Sequence, residues 1–211
     1  MRVLDLFGIA LLSFAAALSG AVVPGPVFVI VVSEALGKGM KAGPFVVLGH
    51  LLIEALIILA VFLGLDVLLD SGGATKLISY VGGAVLVLMG VYLARMARTF
   101  KPKASSMSNE RFASHGMVAA GFLGSSSNPH FFLWWLTTGV PVMAFSVSSA
   151  GMIGFIAFLA GHAAADLLWF SFISYSVDKG RNYLNQKAIK AILLGSAMFL
   201  AVFGIFLISS A

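Results

Sequence analysis

The sequence predicts an all-α polytopic membrane protein with six transmembrane helices, arranged as two inverted three-helix repeats in which helices one and four are broken. Three observations predict it. The 211 residues are 60% hydrophobic and only 10% charged, with a mean hydropathy of +1.05, more apolar surface than a soluble domain of this size needs. Six runs, at about 6–34, 43–65, 77–95, 116–145, 150–177 and 191–210, are long enough to span a bilayer and too continuously apolar for barrel strands. Finally, Gly49-His50-Leu51-Leu52-Ile53-Glu54 in the second run returns as Gly161-His162-Ala163-Ala164-Ala165-Asp166 in the fifth.

Helix one is interrupted by Pro24-Gly25-Pro26. Proline lacks an N–H and disfavours helix in the residue before it, so the span is expected to break or bend sharply there. Ala15-Ala16-Ala17 resembles a signal-peptide cleavage region, but the run is too long and continues into further apolar sequence, so it reads as a retained helix. Helix two follows Lys41-Ala42-Gly43-Pro44, ends near Gly64 and carries the first His/acid stripe. A mid-span carboxylate costs about 2.5–3.5 kcal/mol on insertion scales, which makes Glu54 a functional candidate. Residues four apart share a helix face, so His50 lies over its own acid.

Helix three runs from Leu77 to Ala94, and Gly83 and Gly90, seven apart, mark a face for close helix contact. The polar, basic segment 98–114 is the linker between a first repeat, 1–97, and a second, 115–211. Helix four breaks at Ser125-Ser126-Ser127-Asn128-Pro129, and the aromatics at 131–135 read as an interfacial belt rather than a substrate cage. Helix five holds His162 and Asp166. Helix six, from about Ala191, has Gly195 and Gly204 and no ionisable group beyond Lys190. Three helices per half is an odd number, so the second half starts on the opposite side of the membrane. Breaks at matching places in helices one and four are what transporters with discontinuous helices show.

The absence of cysteine excludes disulfides, thiolate metal sites and cysteine nucleophiles. The net charge of +5 is a topology signal and not a nucleic-acid footprint. Eleven of the thirteen Lys and Arg residues fall in the first, third and fifth loops. The positive-inside rule then puts those loops in the cytoplasm and both termini outside, in a multi-pass protein of the plasma membrane.

Helices restarting after Pro26 and Pro129 present unpaired N–H groups and the positive ends of their dipoles, which suits an anionic or zwitterionic solute. Pro24, Gly25, Pro26, Asn128 and Pro129 are therefore the candidate substrate-binding residues, with Asn128 as cap or direct contact. The stripes His50/Glu54 and His162/Asp166 have three readings. They can satisfy one another structurally, couple ions or protons to transport, or ligate a divalent cation as two His and two carboxylates. No His-Glu-x-x-His, phosphate loop or Gly-x-Ser-x-Gly elbow is present. An intramembrane metal-dependent hydrolase is thus a distant alternative. A non-enzyme with no cofactor is expected.

Several ordered motifs carry a family resemblance: Pro24-Gly25-Pro26, then Gly39-x-x-x-Gly43, Tyr80-Val81-Gly82-Gly83, Gly90-Val91-Tyr92-Leu93, Gly121-Phe122-Leu123 with Asn128-Pro129, and Gly195 with Gly204. Together they resemble the lysine exporter (LysE/RhtB-type) family. The resemblance implies a six-helix exporter of small amino acids or related solutes that works as a homodimer. His130 stands where that family often has Lys after Asn-Pro. The wider superfamily implied by the resemblance includes divalent-cation exporters.

Overall fold

The computed structural model describes residues 3–23, 25–63, 72–99 and 110–210. Among them the chain is helical, without strands. The helices are α1 (Val3–Ala21), α2 (Pro26–Lys38), α3 (Ala42–Phe62), α4 (Gly72–Thr99), α5 (Glu110–Ser126), α6 (Pro129–Trp134), α7 (Val140–Gly180) and α8 (Gln186–Ser209). A π-helical turn, Trp135–Gly139, joins α6 to α7. A 3₁₀ turn, Arg181–Tyr183, follows α7.

The breaks fall where the prolines are. Between α1 and α2 the axis turns by 78°. Pro26 occupies the first turn of α2, where a missing N–H costs nothing. Pro129 opens α6 in the same way, and the side chain of Asn128 accepts a hydrogen bond from the His130 N–H. Three stretches are long and apolar enough to cross a membrane: Ala42–Phe62, His130–Gly180 and Gln186–Ser209. The bent pair α1 and α2 makes a fourth, and α4 holds a shorter apolar segment, Tyr80–Arg95.

The 51 residues of His130–Gly180 would measure about 76 Å as one helix, far more than a hydrocarbon core of about 30 Å. The backbone turns at Ala150 and Gly151, both outside helical φ/ψ. Gly151 has φ +57°, a conformation that disfavours side chains other than hydrogen. The division falls at the start of the fifth apolar run, 150–177.

Outward faces carry large hydrophobic side chains such as Leu56, Leu88, Met152, Met198 and Val202, all more than half exposed. Such a surface suits lipid. The interior is held by close backbone approach. In α4 and α8, Gly83 lies against the Gly204 carbonyl, and Gly90 lies against Ala197 and Ala201. The expected contact face of helix three is therefore real, whereas Gly195 faces open space.

Two further helix pairs repeat one another. In α3 and α5, Gly49 abuts the carbonyl of Val118, and Gly121 abuts that of Val46. In α7 and α1, Gly161 abuts the carbonyl of Ala10, and Ser13 donates to that of Phe158 at 2.8 Å. The registers agree. Val118 follows Ala10, and Gly121 follows Ser13, by 108 positions; Gly161 follows Gly49, and Phe158 follows Val46, by 112. The glycine that opens each stripe thus lets a helix leading into a break settle directly on it.

Candidate functional site

With both glycines packed in this way, the residues next to them turn toward one centre. The two stripes face each other. Glu54 lies 4% exposed on α3, and Nε2 of His162 on α7 sits 2.8 Å from its Oε1. Nε2 of His50, one turn before Glu54, is 3.2 Å from the same oxygen. The indole N–H of Trp135 donates to that oxygen at 3.3 Å. Three nitrogens therefore converge on one carboxylate oxygen, an arrangement that offsets the cost of burying it.

Asp166 is placed differently, although it is 3% exposed. Its Oδ2 lies 3.4 Å from His162 Nε2 and 3.9 Å from His50 Nε2, and it makes no hydrogen bond among the described residues. The histidines differ too. The Ser125 hydroxyl donates to the Gly121 carbonyl at 2.8 Å, so its oxygen accepts from Nδ1–H of His50 at 2.7 Å. Nδ1 of His162 is buried without a hydrogen-bond partner.

His50, Glu54, Ser125, His162 and Asp166 line a cavity of about 460 Å³, within the usual size of small-molecule sites. Both chain breaks contribute to it: Gly25 and Pro26 from the first, Ser125 and Asn128 from the second. Apolar wall comes from Phe28, Phe131, Trp134, Phe170 and Phe203. His130 is the further titratable lining residue, exposed, with its ring 6.3 Å from that of Phe203.

Of the residues singled out in the sequence, Gly25, Pro26, Asn128, His50, Glu54, His162 and Asp166 thus share one cavity. Pro24 lies outside the described residues, and Pro129 enters as the first residue of α6. His50, Glu54 and Asp166 can each offer one ligand atom, all within 4.8 Å of one another, a donor set that suits a divalent cation.

The apolar helices, the breaks and the buried polar centre describe a membrane protein with an internal solute-sized chamber. A family model described as LysE type translocator matches residues 18–211. The chain belongs to that family. It is also similar to the "Putative amino acid efflux protein YcgF" of Bacillus subtilis (strain 168), 23% identical over 182 residues, covering 86% of each chain. No solved structure matches.

In this LysE-type chain, Trp135 and Ser125 were not among the site residues expected from sequence. The segment 131–135, expected as an interfacial belt, instead turns inward in part. Trp135 is 1% exposed and bonded to Glu54, while Phe131 and Trp134 line the cavity. Trp135 is also the first residue of the π turn that joins α6 to α7. Ser125 carried one usable signal, a hydroxyl just before a helix break, but its partner is 75 residues away.

Proposed function

We propose that this LysE-type chain exports amino acids or related small zwitterionic solutes across the plasma membrane by alternating access. The observation that carries the proposal is the cavity in which two helix breaks and four buried ionisable side chains meet. The helix ends at Gly25-Pro26 and Asn128-Pro129 bind the solute, and His50, Glu54, His162 and Asp166 form the ionisable centre that couples ion or proton movement to it. The repeated packing of α1 with α7 and α5 with α3 supports six spans in two inverted repeats, 1–97 and 115–211, joined by a cytoplasmic linker, 98–114. Both termini lie outside, and two copies form the working unit.

The test is efflux from vesicles containing the purified protein and loaded with the twenty common amino acids, read by mass spectrometry with and without a proton gradient. Gradient-dependent loss of one or more amino acids is expected. No loss relative to protein-free vesicles contradicts the proposal. A second reading, divalent-cation export, is favoured by the three ligand atoms of His50, Glu54 and Asp166. It predicts instead the movement of Zn²⁺ or Mn²⁺ in the same vesicles, abolished by His50→Ala.

A further inference from the structure

The two His/acid stripes occupy equivalent places but have different partners. On α5, four residues after Gly121, Ser125 holds Nδ1 of His50. The same register carried to α1 leads from Ser13 to Ala17, which is buried and has no hydroxyl to offer. Nδ1 of His162 is correspondingly unpartnered. Glu54 is bonded by His162 and by Trp135, whereas Oδ2 of Asp166 accepts nothing. One carboxylate is thus hydrogen-bonded within the protein, while Oδ2 of the other, on a residue that lines the cavity, is buried without a hydrogen bond.

The two helix restarts differ in a parallel way. The N-terminus of α6 is capped by the side chain of Asn128. The N-terminus of the 13-residue α2 has Gly25 at its cap position and no side-chain cap. Its first N–H groups, those of Val27 and Phe28, come from residues that line the same cavity as Asp166. Trp134, which also lines it, has a buried indole N–H without a partner.

We infer that the cavity holds an amino acid with an apolar side chain, its ammonium group on Asp166 and its carboxylate on the N-terminus of α2. The inference rests on the exporter reading and assigns the ends of the solute within it. An ammonium supplies the hydrogen bond that Oδ2 of Asp166 lacks. A carboxylate meets uncapped N–H groups and the positive end of the helix dipole. The lining also includes Phe28, Phe131, Phe170 and Phe203 and is more apolar than polar, which favours an uncharged, apolar side chain over a charged one.

The test is calorimetric titration of the purified full-length protein with L-leucine, with 4-methylpentanoate, which lacks the amino group, and with 3-methylbutylamine, which lacks the carboxylate. Wild type is expected to bind leucine at least tenfold more tightly than either fragment. Asp166→Asn is expected to lose at least tenfold for leucine and for the amine while holding 4-methylpentanoate within threefold. That retained binding also shows the variant to be folded. Equal affinity of wild type for leucine and 4-methylpentanoate would overturn the inference, as would no binding of leucine. So would an Asp166→Asn protein that keeps leucine affinity while Glu54→Gln loses it. If Asp166→Asn binds none of the three probes, Asp166→Glu must restore leucine to within tenfold of wild type, and failure to do so also overturns it. Should vesicles export some amino acid while leucine binding fails, only this assignment falls; should they export none, the exporter reading falls with it.

Discussion

Nε2 of His162 lies 2.8 Å from Oε1 of Glu54, so the acid of the first stripe is bonded by the histidine of the second, 108 residues later. The bond joins the two halves of the chain at a buried point. A charge-assisted hydrogen bond of this kind contributes about 1.5–3 kcal/mol. His162→Phe retains an aromatic ring but removes the donor, and should lower unfolding stability in detergent by about that amount. Denaturant titration measures it, and an unchanged midpoint would mean that the bond stabilises nothing.

The contacts beneath the site predict a second effect. A side chain at Gly49 or Gly161 would collide with the backbone of Val118 or Ala10, while one at Gly195 meets open space. Gly49→Val and Gly161→Val should each destabilise by about 1–3 kcal/mol or more. Gly195→Ala should fall within about 0.5 kcal/mol of wild type. Thermal unfolding of the three variants compares them, and equal stability of all three would refute the packing explanation.

The difference between Ala17 and Ser125 predicts a variant that is more stable but slower. Ala17→Ser offers His162 Nδ1 the partner that Ser125 offers His50, worth about 0.5–1.5 kcal/mol when satisfied. By fixing His162, a member of the proposed ionisable centre, it should also reduce efflux several-fold. Unfolding and efflux measured on the same preparation check both. Loss of stability would show that position 17 does not correspond to position 125.

Basic residues in the odd loops predict that position 106 is cytoplasmic and position 210 external. Because the chain has no cysteine, Ser106→Cys and Ser210→Cys each report one site alone. An impermeant thiol reagent applied to intact cells should label the second variant and not the first. The reverse pattern would invert the orientation.

What the sequence made legible follows from local physics. Prolines dictated the breaks at Pro26 and Pro129, and the four-residue spacing dictated that each histidine lies over its acid. The meeting of the stripes was not legible. It is a contact between α3 and α7, residues more than a hundred positions apart, which is tertiary information. Trp135 escaped because the acid its indole bonds, Glu54, lies 81 residues away in the sequence. The unequal partners of Glu54 and Asp166 escaped for the same reason as Ser125, since each depends on a residue distant in sequence.

Whether solute passes through this cavity can be asked of one side chain. Ala21 lines it beside the first break, and Ala21→Cys would place a single thiol there. Efflux of an exported amino acid should be measured from vesicles of this variant before and after complete modification by a bulky maleimide. Modification is predicted to stop efflux, and excess of the exported amino acid is predicted to slow the modification. Undiminished efflux from fully modified protein would contradict passage through the cavity between the two breaks.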